Sequence, residues 1–114
     1  MNIIETAEIL IDLHKSLDEL NQEYKAYKIR MNQMFEYMIL AKQAVKKYQV
    51  CYWNNIIIRE SLDYKLCYNA TVNLYDEIKK AYSQYCGKLK LLKLQIKDRQ
   101  RQISQINYEL RNDY

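Results

Sequence analysis

Proline is absent from this chain of 114 residues, and glycine occurs once, at Gly87. Without them there is no turn chemistry for an all-β sandwich, no collagen-like period and no glycine-rich loop to cradle a phosphate. Histidine also occurs once, at His14, and Cys51, Cys67 and Cys86 stand 16 and 19 residues apart with no Cys-x-x-Cys pair among them. Zinc needs four nitrogen or sulfur ligands, which this spacing does not supply. A cysteine nucleophile would need a base at its own level, and His14 lies too far out of layer from Cys86 to serve as one. The carboxylates are scattered at outer helical positions, as on a solvated face. The expectation is a chain with no catalytic residue, no metal and no cofactor, which is not an enzyme.

Long apolar runs are missing too. Stretches such as Met38–Ala41 and Ile56–Ile58 fall far short of the roughly 18 residues of a membrane span. Glu5, Glu8, Asp12 and Asp18 interrupt the N-terminal stretch where a secretory signal would be basic and then continuously apolar. An odd number of cysteines without disulfide spacing fits reduced thiols in a cytoplasmic compartment. The expected protein is soluble and cytoplasmic, without a membrane partner.

What the sequence does contain is an apolar fraction of 49%, too high for disorder, alongside enough charge for long amphipathic helices with wet outer faces. Phe, Tyr, Met, Ile, Asn and Lys make up 52 of the 114 residues. All have AT-rich codons, so a low-GC genome is expected. A virus or mobile element is one such source, and the host cytoplasm would then be the location.

Alternating steps of three and four from Ile3 pass through Thr6, Leu10, Leu13, Leu17, Leu20, Tyr24, Tyr27, Met31, Met34, Met38, Ala41, Val45, Tyr48 and Tyr52, and only Thr6 is not apolar. Seven heptads of a and d positions in one phase are the period of a coiled-coil seam. The spacing predicts helix one over about 2–50, about 75 Å long at 1.5 Å per residue. The same steps recur from Tyr64 through Tyr68, Thr71, Tyr75, Ile78, Tyr82, Tyr85, Leu89, Leu92, Ile96, Arg99, Ile103, Ile106 and Leu110. Helix two is expected over about 58–112, with a bend near Gly87, where an interior glycine costs about 1 kcal/mol relative to alanine.

Asn54-Asn55 is the best turn dipeptide in the chain, because Asn tolerates the left-handed conformation. The reading is an all-α single domain over 1–114, a long antiparallel helical hairpin, coiled-coil-like, with its turn at about 51–57. Facing residue numbers then add to 109, setting Leu13 against Ile96, Leu20 against Leu89 and Ala41 against Tyr68. The alternative reads Tyr52, Trp53 and Ile56–Ile58 as β-formers flanking a two-residue link. A helix, short β-hairpin, helix order resembles the layout of a prefoldin subunit. Residues 49–60 lack the glycine that family carries near its first strand turn.

Two helices do not cover all the apolar residues. In heptad lettering Ile9, Tyr37, Ala44, Cys67, Leu74 and Ala81 fall on one g flank, and Ile39, Leu40, Leu62 and Leu66 add to the same half. A dimer or partner interface over Tyr37, Leu40, Ala44, Cys67, Leu74 and Ala81 is expected. Self-association would make a homodimer with a four-helix core centred on Tyr37 and Leu74. Tyr24, Tyr27, Tyr48, Tyr52, Tyr64, Tyr68, Tyr75, Tyr82 and Tyr85 all stand on the seam. Their hydroxyls need partners or water, so wide spacing with hydroxyls at the edges is expected.

Charge is uneven. Residues 1–57 carry seven bases and seven acids, whereas Lys79, Lys80, Lys88, Lys90, Lys93, Lys97, Arg99 and Arg101 are opposed over 79–101 by Asp98 alone. Such a basic patch could meet an acidic protein or neutralise phosphates. Arg99 takes a d position, and the register above puts it level with Leu10, near Glu8 and Asp12. One charged residue on a seam can specify register. The function expected is a non-enzymatic interaction protein: an assembly factor, adaptor, scaffold or occluding inhibitor of a protein partner. Nucleic-acid binding through the basic patch is the alternative.

Overall fold

The computed structural model describes residues 2–54 and 62–113. They form two α-helices, α1 (Ile3–Asn54) and α2 (Leu62–Asp113), and no strand occurs among the described residues. Asn2 begins α1. Its Oδ1 accepts from the Glu5 amide at 2.7 Å and its carbonyl oxygen accepts from the Thr6 amide at 3.0 Å, which satisfies donors that a helix start otherwise leaves open. α1 runs past the expected end at Val50, and Cys51–Asn54 are helical. Asn costs at most about 0.7 kcal/mol relative to alanine inside a helix, so its preference for turns does not stop the seam from adding another turn. Tyr52 and Trp53 are therefore helical and not the first strand of a β-hairpin. The rest of the expected turn, together with Ile56–Ile58, lies outside the described residues.

The contacts gather into two compact units, one comprising residues 1–28 with 87–114, the other residues 29–86. In unit 1 the helices are antiparallel. Arg99 Nε donates to Ser16 Oγ at 3.2 Å, and Lys88 meets both Glu23 and Tyr27. Leu92 is wholly buried, and Leu89 and Ile103 are buried with it. Thr6, the one polar residue on the α1 seam, is buried as well, and its Oγ1 donates to the Asn2 carbonyl oxygen at 2.9 Å. Burial without a partner would be costly, and this bond removes the cost.

Unit 2 is also an antiparallel pair, fastened largely by rings. Phe35 and Tyr82 have centroids 5.8 Å apart, Tyr48 meets Tyr64 edge-on at 5.5 Å and Tyr68 edge-on at 6.5 Å, and Tyr64 stacks on Tyr68 one turn away at 6.5 Å. These are favourable aromatic geometries. Gln49 Nε2 donates to the Tyr68 hydroxyl at 3.4 Å, at the edge of the seam. Thr71 Oγ1 donates back to the Cys67 carbonyl oxygen at 2.8 Å, so the second polar seam residue is satisfied within its own helix.

In both units the facing numbers lie above the expected 109. Ser16 with Arg99, Tyr48 with Tyr68 and Phe35 with Tyr82 place the register that keeps a against d at about 116, one heptad further on. Ala41, buried, is thus level with Tyr75 and not Tyr68. Gly87 does not end α2, and a Cβ added there would meet nothing within 4 Å, so neither a helix end nor close packing accounts for it.

Candidate functional site

In an antiparallel pair the g positions of both helices line one flank and the e positions the other. The residues expected at an interface fall on the g flank of unit 2, with Leu40 at the adjoining c position. Tyr37, Leu40 and Leu74 keep 52%, 61% and 53% of their surface exposed. Cys67 is exposed, and Ala44 and Ala81 are half-buried. At the observed register Tyr37 lies nearly level with Ala81, and Ala44 with Leu74. Two large side chains therefore stand beside two small ones, a surface of ridges and hollows suited to a third helix.

The basic residues are divided. Lys79 and Lys80, in unit 2, line an open depression with Asp76, Ser83 and Gln84. In unit 1 Lys88 is half-buried, its Nζ 3.5 Å from Glu23 Oε1 and 5.7 Å from the centre of the Tyr27 ring. Lys90, Lys93 and Lys97 are exposed, and among the described residues none of them makes an ion pair. Arg101 is exposed, but its Nη2 reaches Asp98 Oδ1 at 2.8 Å.

Arg99 does not lie level with Leu10 or pair with Glu8 or Asp12. The shift of one heptad sets it at the level of Leu17, beside Ser16, and its Nη1 donates to Asp98 Oδ2 at 3.0 Å. Asp98 also accepts from Arg101 and from Gln102 Nε2, the latter at 2.7 Å. This cluster was not foreseen, although Asp98, Arg101 and Gln102 stand at the three- and four-residue spacing at which helical side chains meet.

His14 is exposed on the e flank, and Cys67 and Cys86 are free thiols. Among the described residues no group of three or more His, Cys, Asp and Glu stands in position to hold a metal ion, and no helix is long and apolar enough to cross a membrane. Cys86, one turn further along α2, raises the Tyr82 pKa above its ordinary value through its hydrogen bond and charge. Comparison with protein-family models, curated proteins and solved structures finds no match.

Proposed function

We propose that this chain is a non-enzymatic interaction protein that works through the g flank of unit 2. The observation that carries this reading is the exposure of Tyr37, Leu40 and Leu74 on one flank, next to the small residues Ala44 and Ala81. Large apolar side chains grouped in this way mark a surface meant to be covered. A second copy is the proposed occupant, giving a two-fold homodimer with a four-helix core, since the two-fold dimer is the commonest closed assembly. On this reading the dimer serves as an assembly factor, adaptor, scaffold or occluding inhibitor of another protein. The free thiols of Cys67 and Cys86 accord with a reducing, cytoplasmic setting, and the codon composition with a low-GC genome, viral or mobile. Light scattering behind gel filtration tests the dimer: at micromolar concentration the wild type runs at twice the chain mass, and Tyr37→Asp with Leu74→Asp returns it to a monomer of unchanged helicity. A monomeric wild type overturns the dimer.

The second reading, nucleic-acid binding, rests on the exposed Lys90, Lys93 and Lys97. It requires retention on DNA or RNA that falls steeply with salt. Retention without a salt slope, or none at low salt, removes it.

A further inference from the structure

Unit 1 separates its charges by flank. On the g and c side, Glu5, Asp12 and Glu19 follow one another at seven-residue intervals along α1, joined by Glu23 and, from α2, by Asp98 and Glu109. The cations that reach this side, Lys88, Arg99 and Arg101, are engaged with Glu23 or Asp98. On the e and b side, α2 presents Lys90, Lys93, Lys97 and Arg111, and α1 adds Lys25 and Lys28, against the single acid Asp18. All six of these cations are exposed, and among the described residues none makes an ion pair.

The two flanks match in level. At the observed register Glu5 is level with Arg111, Glu19 with Lys97 and Glu23 with Lys93. Each acid and its base lie on opposite flanks, so they do not meet within one chain. Each flank also exposes apolar side chains beside its charges, Ile4 and Ile11 on the basic side and Leu91 on the acidic side. An ion-pairing contact there would bury apolar area as well.

We infer that unit 1 is a self-complementary docking element: the basic flank of one copy receives the acidic flank of a second copy of this chain. With α2 of one copy lying over α1 of the next, all three levels pair without an axial shift. Any row of cations would satisfy a polyanion. The agreement in level between the two flanks is what points to another copy. The contact joins two different surfaces, so it repeats from copy to copy and builds an open stack rather than a closed pair. It uses other residues than the apolar flank of unit 2 and does not depend on the dimer proposed above.

Sedimentation velocity of the full chain at about 50 mM and about 500 mM sodium chloride tests it, because exposed ion pairs are screened at the higher salt. The weight-average mass rises at low salt by about twofold or more if flank meets flank. Lys93→Glu with Lys97→Glu reverses the charge at two of the three matched levels of the basic flank, and Glu19→Lys with Glu23→Lys reverses it at the same two levels of the acidic flank. Each variant, helical by circular dichroism, loses the low-salt rise, and mixing the two restores it. The rise persists in the Tyr37→Asp, Leu74→Asp background, which separates this contact from the apolar one. A mass independent of salt overturns the inference, as does a mixture that stays unassembled. Assembly that needs an added DNA duplex overturns it in favour of a phosphate site on the basic flank.

Discussion

Leu89, Leu92 and Ile103 bury their side chains in unit 1, whereas in unit 2 Ala41 alone among the described residues is buried to that degree, although both units follow the same seam. The difference lies in what fills the layers. Unit 1 is seamed mainly by Leu and Ile, which carry no polar tip and need nothing from water. Unit 2 is seamed by Met and Tyr, and a tyrosine ring must keep its hydroxyl at an edge where a partner or water can reach it, as Tyr68 does with Gln49. Its layers are held by rings but not closed over. The flanks differ as well: Tyr37, Leu40 and Leu74 gather on one flank of unit 2, whereas the flanks of unit 1 carry segregated charge with apolar side chains on both.

The largest expected effect tests the contrast in burial. Leu92→Ala removes a wholly buried side chain and should cost about 3 kcal/mol or more in urea denaturation, while Met38→Ala, half-buried on the unit 2 seam, should cost about 1 kcal/mol. Equal losses would show the two seams to be equally packed.

Arg99 comes next, as the one charged residue in the aliphatic layers of unit 1. Its side chain is about two-thirds buried, and Asp98 keeps Arg101 and Gln102 without it. Arg99→Leu should therefore raise stability by about 1 kcal/mol, and chemical cross-linking between the helices should then reveal a second register. A lowered urea midpoint would mean that the bonds to Ser16 and Asp98 outweigh the desolvation.

A smaller gain is expected at Gly87, where α2 passes from unit 2 into unit 1. A methyl group there has free space, so Gly87→Ala should add about 0.5–1 kcal/mol through helix propensity and a less flexible unfolded chain. A loss would show that glycine is needed there for a bend.

The smallest effect concerns pH. The neighbouring Cys86 raises the pKa of Tyr82 in the folded state. Any stability linked to this group is present below the unfolded pKa of about 10 and is lost as pH rises through the raised value. Ultraviolet titration should find Tyr82 ionising nearer its ordinary range in Cys86→Ala, and an unchanged curve would place the cause elsewhere.

The seam was legible from residue types because burial follows it closely. Of its described positions only Ile3 is exposed, and even Thr6 is buried. The register was not legible to the same degree. A heptad pattern slid by seven residues superimposes on itself, so Leu92 meets a seam residue whether it faces Leu17 or Tyr24. Only the turn preference of Asn54-Asn55 distinguishes the registers, and a preference worth a fraction of a kcal/mol does not outweigh another helical turn. The error passed to Arg99, whose expected partners depended on level, while Asp98, its neighbour in sequence, needed no register to be recognised. The apolar flank around Tyr37 and Leu74 survived the slip, because a flank depends on phase within each helix and not on which layers face.

The antiparallel order also sets a sequence of events in folding. Gln49 and Tyr68 close a loop of 19 residues, Ser16 and Arg99 one of 83. Forming the second contact from the open chain costs about 1.3 kcal/mol more in closure entropy. Closure entropy therefore favours forming the tyrosine contacts of unit 2 before those of unit 1. Substitutions among the unit 2 rings should slow folding, whereas trimming Leu92 or Ile103 should mainly hasten unfolding.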